Sequence, residues 1–170
     1  TYFSGWVGVD LFFAISGFVI ARDLVPRLQA SPGGEATTRL VLAFWIRRFW
    51  RLIPSAWLWL LVILIASVAF NQSGAFGAFR TNLEATVAAV LQIANIRFAE
   101  SFMSWPYGAS FVYWSLSLEE QFYLLFPLVI LLARRHLIHA MILLVLVQFF
   151  LVRTPMLMVF RTDALALGVL

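Results

Sequence analysis

The sequence contains no cysteine and no lysine, only two histidines, and charged residues fill just 12% of its 170 positions. The lack of cysteine excludes disulfides, thiolate metal sites and thiol nucleophiles. The lack of lysine leaves arginine as the only cationic side chain besides histidine. The formal charge of +4 carries no nucleic-acid signal, because the arginines gather at the ends of apolar runs rather than on an aromatic-interleaved face. His136 and His139 flank a basic turn and have too few neighbouring donors for a metal, so no metal is expected and the two imidazoles read as headgroup-facing. There is no positively charged leader segment, internal repeat or low-complexity tract.

What the chain has in excess is apolar surface: 63% of residues are hydrophobic and the mean hydropathy is +0.94. A soluble domain of this size leaves roughly a third of its surface in water and could not hide so much. The predicted class is an all-α integral membrane bundle. Residues 11–21 with their 5–9 approach and 53–70 are the two persuasive apolar runs, and 122–133 and 137–152 are two more, meeting at a short basic turn.

Arg22, Arg27, Arg39, Arg47, Arg48 and Arg51 all lie between the first two runs, which makes that connection cytoplasmic. Gly5 and Asp10 then face outward. The connection holds a Ser31-Pro32-Gly33-Gly34 turn and an arginine-aromatic stretch, residues 37–52, with the composition of an interfacial helix. Pro54 suits the first turn of the following span. That span ends outside near Asn71, before a polar loop reaching to Glu84. Residues 86–98 either cross fully, or dip into the membrane or lie along it. A full crossing sets residues 113–123 inside and Arg134-Arg135 outside, against the charge rule. The second arrangement is favoured because the segment is short for a full crossing. This sets residues 114–121 outside and Arg134-Arg135 inside, with residues 153–163 again outside.

Three stretches carry candidate chemistry. In YWSLSLEEQFYLLFPL, Ser117 and Glu120 have the spacing of a helix capping box. A cap needs one carboxylate, however, and Glu119 is surplus; carboxylates at membrane depth face polar cavities and are functional by default. In RRFWRLIP, Arg48 and Arg51 share one helix face. They suit either a polyphosphate bound by two guanidinium forks or lipid headgroups, and Arg47 fits the headgroup role. Asp10 in GWVGVDLFFAISGFVI reads alone as an anion at a helix N-terminus. RTDALALG supplies a further Arg161 and Asp163 at a span boundary.

GWVGVDLFFAISGFVI, RRFWRLIP and WSLSLEEQFYLLFP, in this order, resemble the signatures of the acyltransferase-3 family of membrane acyltransferases, and the resemblance extends over nearly the whole chain. It implies a multi-pass transmembrane domain, of which residues 1–170 would supply about six of roughly ten helices of about 20 residues each. It further implies transfer of an acyl group, commonly acetyl, from cytoplasmic acetyl-CoA to a hydroxyl of an extracytoplasmic glycan or similar acceptor at the cell membrane. On this resemblance Arg48 and Arg51 match the arginine pair on the CoA side. Glu119, Glu120 and Asp10 match acidic positions that support catalysis. Leu118 replaces the commoner valine, a conservative change. The family's catalytic histidine lies just before the GWVGVD motif, ahead of Thr1, so neither His136 nor His139 inherits that role and the chain alone is expected to be inactive. The competing reading is a non-enzymatic membrane transporter or sensor module on the same helical frame, which has no reason to bind CoA phosphates.

Overall fold

The computed structural model describes residues 6–102, 104–152, 154, 157 and 159–170; Gly5 and Arg153, both used in the topology expectation, lie outside the described residues. Among the described residues every regular element is helical. They are α1 (Trp6–Gln29), α2 (Gly34–Ala69), α3 (Phe79–Val90), α4 (Ala94–Ser101), α5 (Tyr113–Ala133), a 3-10 turn (Arg134–His136), α6 (Leu137–Phe150) and α7 (Asp163–Val169). Two helical stretches, Gly34–Ala69 and Tyr113–Phe150, are long and apolar enough to cross a membrane. Only 22% and 17% of their most apolar windows is buried, whereas the core helix of a water-soluble protein would be mostly covered. Trp50, Trp59, Leu132 and Phe150 point outward, as lipid-facing residues do.

The chain forms two compact units. The first comprises Thr1–Trp45, Phe122–Val152 and Arg161–Leu170. In it α7 lies on α1 at backbone distance. A Cβ on Gly17 would strike the carbonyl oxygen of Leu165, and one on Gly168 would strike that of Ala14. Hydrocarbon offers no hydrophobic drive between helices, so close packing of small residues takes its place. Phe13, Ile20, Phe126, Ile130 and Leu165 fill the surrounding core. Polar ties close the ends: Gln29 Nε2 donates to the Arg134 carbonyl at 3.3 Å. The Gln148 amide donates to Thr162 Oγ1 at 2.6 Å and accepts from the Asp163 backbone N–H at 3.0 Å. Arg134, at φ 41°, ends α5 and begins the basic turn. His136 and His139 are exposed there, their rings 5.9 Å apart.

The second unit comprises Ile46–Gln121 and Arg153–Phe160. Its centre is a small-residue cluster of Leu60, Ala89 and Ala94, against which Tyr113 packs. Alanines let α3 and α4 approach closely, and larger side chains would hold them apart. Asn82, fully buried, donates from Nδ2 to the Phe76 carbonyl at 2.5 Å and accepts from the Ala109 N–H at 2.9 Å. This fastens the loop before α5 to α3. Gly108 permits it: its φ is +112°, and a Cβ there would lie 2.7 Å from Asn82 Oδ1. Arg97 stacks over Trp105, 4.6 Å from the ring centre, and pairs with Glu84 at 3.2 Å.

Three expectations change. The predicted interfacial stretch 37–52 and the span 53–70 are one helix, α2, with Pro54 inside it. No glycine or proline interrupts residues 35–53, so helix propensity carries through, and the Ser55 hydroxyl bonds the nearby Leu52 carbonyl at 2.9 Å. Residues 86–98 are not one segment. α3 and α4 are separated by a turn in which Gln92 adopts φ 58°, and at 12 and 8 residues each spans less than the roughly 30 Å hydrocarbon layer. The polar loop after Asn71 ends at Ala78, where α3 begins, rather than near Glu84.

Candidate active site

The capping-box alternative for Glu120 fails. α5 starts at Tyr113, so Ser117 stands in the second turn and is buried at 1% exposure, where no orphan backbone donor needs it. The helix begins early because the Tyr113 and Trp114 N–H groups already bond Ser110 and Phe111. In addition, the Tyr113 hydroxyl donates to the Ala56 carbonyl on α2 at 2.8 Å.

With the cap removed, Glu119 and Glu120 are both carboxylates in a helix interior. Glu119 is 2% exposed. Glu120 is half-buried, and its Oε1 is buried without a hydrogen-bond partner. The charges acting on Glu120 are those of Glu119 and Arg48. Two carboxyl groups and one guanidinium thus act on one another within the second unit. Arg48 itself is half-buried, whereas Arg47 and Arg51 are exposed.

The Arg48 charge reaches Glu120 from a position fourteen residues along the continuous helix α2, not from a separate surface helix.

Gln121, next in sequence, makes a reciprocal amide pair with fully buried Asn95. Asn95 Nδ2 donates to Gln121 Oε1 at 3.1 Å and Gln121 Nε2 donates to Asn95 Oδ1 at 3.0 Å. The same Nε2 donates to the Gln92 carbonyl at 2.7 Å.

Asp10 belongs to the other unit, and it is not a helix-start anion. It stands beyond the first described turn of α1, and Arg161 Nη2 lies 2.7 Å from its Oδ2. Arg161 Nε is also 3.8 Å from Asp163 Oδ1, so one guanidinium serves two carboxylates. Sequence reasoning noted Arg161 and Asp163 without a partner for them and missed Asn95 altogether. The signal available for Asn95 was a lone amide between Ile93-Ala94 and Ile96. Among the described residues no group of histidine, cysteine or carboxylate side chains could hold a metal ion.

The sequence profile of the acyltransferase-3 family, described as an acyltransferase domain, matches residues 1–168. The chain belongs to the acyltransferase-3 family. The peptidoglycan O-acetyltransferase OatA of Listeria monocytogenes is 34% identical over 131 residues, which cover 72% of this chain and 19% of that protein. The O-acetyltransferase OatA of Staphylococcus aureus is 33% identical over 130 residues, covering 74% of this chain and 20% of that protein. The match therefore spans about a fifth of the length of these curated relatives. No solved structure gives a significant match. Within the family chain, the three signature stretches fall on α1, on α2 and on α5.

Proposed function

We propose that this chain is part of a multi-pass O-acyltransferase of the cell membrane, which moves an acyl group, acetyl in the first instance, from cytoplasmic acyl-CoA to a hydroxyl of an extracytoplasmic glycan. The observation that carries the reading is the Arg48 charge beside the Glu119–Glu120 pair. An exposed arginine, Arg51, lies one turn further along α2.

Chemically, the exposed Arg51 offers the CoA phosphates a guanidinium fork suited to bidentate charge-assisted bonds. The Arg48 charge acts on Glu120, and binding a polyanion next to it shifts how that charge is shared. Glu119 and Glu120 therefore belong to the donor end of the transfer path. Their negative charge suits a positively charged or proton-donating intermediate on a neighbouring base, such as an imidazolium, and disfavours a stray anion. Asp10, neutralised by Arg161 in the other unit, supports α1, the helix that carries the first signature stretch. The acetyl group as the cargo comes to this chain from its relatives, both named as O-acetyltransferases. The acceptor of one is peptidoglycan by name.

The test is transfer of labelled acetyl from acetyl-CoA to cell-wall glycan in membranes containing the full-length protein. Arg51→Ala is expected to raise KM for acetyl-CoA and Arg48→Ala to abolish turnover, at equal protein levels. Full transfer in both variants overturns the donor-site assignment. Absence of any acetyl-CoA binding by the unaltered protein favours the transporter or sensor reading instead.

A further inference from the structure

We infer that Asn95 and Gln121 are positioning residues that fix the orientation of the Glu119–Glu120 pair beside Arg48. The inference rests on the acyl-transfer reading above and names how its carboxylates are held.

The observations begin with the turn between α3 and α4. Gln92 there has φ 58°, and its carbonyl is not taken up by a helix. Leu91 and Ile93 on either side are exposed apolar residues at 62% and 41%, so the turn lies in an apolar surround. Backbone that is not helical is tolerated in such a setting only where protein groups satisfy it. Gln121 does so, donating to the Gln92 carbonyl at 2.7 Å while sharing two amide hydrogen bonds with Asn95. Three hydrogen bonds therefore converge on one side chain of α5, from two elements. Asn95 is fully buried, so neither amide can exchange these bonds for water without opening the packing.

The position of this junction gives it leverage. α5 is held to α2 by the Tyr113 hydroxyl, which donates to the Ala56 carbonyl at 2.8 Å, and to the α3–α4 turn by Gln121, eight residues later. Glu119 and Glu120 lie between those two fixings, immediately before the second. A helix fastened at one point can roll about its axis; fastened at two points on different neighbours, it cannot. A roll of about 20° moves a group about 6 Å from the helix axis by about 2 Å. Displacements of about 1 Å at a reacting centre cost about 100-fold in rate. A structural tie with no bearing on the carboxylates could be made anywhere along α5. This one sits at the residue adjoining them.

The experiment uses the full-length protein in detergent with Gln121→Met, which keeps the side-chain length and removes every side-chain amide hydrogen bond, and with Asn95→Ser, which replaces the amide with a single shorter hydroxyl. Acetyl transfer is measured per folded molecule, with thermal midpoint and membrane yield as separate readouts. Expected is a fall in kcat of about 10- to 100-fold, KM for acetyl-CoA within about twofold of the parent, and a displaced pH profile of kcat. The double variant should be no worse than the poorer single one, because the two residues act as a unit. An active parent whose variants keep the parental kcat per folded molecule, whatever their yield, overturns the assignment alone. A parent without transfer activity overturns the acyl-transfer reading and the assignment with it.

Discussion

Arg161 and Asp10 are 151 residues apart in sequence, and their side chains meet at 2.7 Å. The pair stands where α7 leans on α1, above the contacts that Gly17 and Gly168 make with opposing backbone. Asp163 shares the same guanidinium at 3.8 Å, and Gln148 holds Thr162 and the Asp163 N–H at the start of α7. A seven-residue helix has almost no stability of its own. Its place is set by these polar ties and by the glycine seam.

A double-mutant cycle of Asp10→Asn and Arg161→Gln should therefore show coupling. The side chains are 35% and 16% exposed, between an open surface pair and a buried one. The expected coupling is about 1–2 kcal/mol, read from thermal unfolding of the protein in detergent. A cycle that closes additively means the contact contributes nothing.

Gly17→Ala should destabilise by about 2 kcal/mol through forced separation of α7 from α1. Gly8→Ala provides the internal comparison: nothing lies within 4 Å of a Cβ at that position. There the gain in helix propensity, up to about 1 kcal/mol, should leave stability equal or higher. Equal losses at both positions would show that no close approach exists.

Arg48 and Arg51 should separate in stability as well as in activity. Arg48→Gln leaves the Glu119–Glu120 pair with one fewer cation, and the added substitution Glu120→Gln should restore about 1–3 kcal/mol of what is lost. Arg51 is exposed, so Arg51→Gln should shift the thermal midpoint little. A double variant less stable than Arg48→Gln alone would sever the link between Arg48 and Glu120.

Tyr107 gives a pH dependence. Burial pushes its hydroxyl up to about 12 from an ordinary value near 10, against the pull of the Arg97 guanidinium. The folded state holds this proton more tightly than the unfolded state. Stability from the group is therefore complete below pH 10 and declines as pH rises from there toward 12. Tryptophan emission from Trp105 and Trp114, which lie close by, should report loosening over that window. Tyr107→Phe should remove that part of the change, and an unaltered alkaline transition in the variant would refute the attribution.

Class and signatures were legible in the sequence because they depend on composition and local order. The apolar excess demanded helices with outward apolar faces, and the two longest of these are α2 and the α5–α6 stretch. What was not legible was continuity and partnership. Pro54 carries a strong local bias toward a helix start, yet nothing in residues 35–53 stops a helix already under way. Ser117 and Glu120 have the spacing of a cap, but spacing cannot say whether the helix began earlier, and here the backbone bonds of Tyr113 and Trp114 to Ser110 and Phe111 begin it at Tyr113. Charge counting weighs loops and cannot see how far along a helix a guanidinium is carried, as Arg48 is within α2. Asp10 had candidate explanations from the sequence but not this one, because its partner Arg161 lies 151 residues away, just before the last described helix.

The amide junction has a consequence for biosynthesis. The α3–α4 turn leaves the ribosome before Gln121, the residue that satisfies it, which follows Gln92 by 29 positions. At about 5–20 residues per second, the nascent turn waits on the order of seconds with its carbonyl unserved. During that interval it belongs at the headgroup layer or in the insertion machinery, where water or protein can serve it. Settling of this segment is therefore tied to the arrival of α5, and a stall placed between the two would leave the nascent chain open to quality-control proteases.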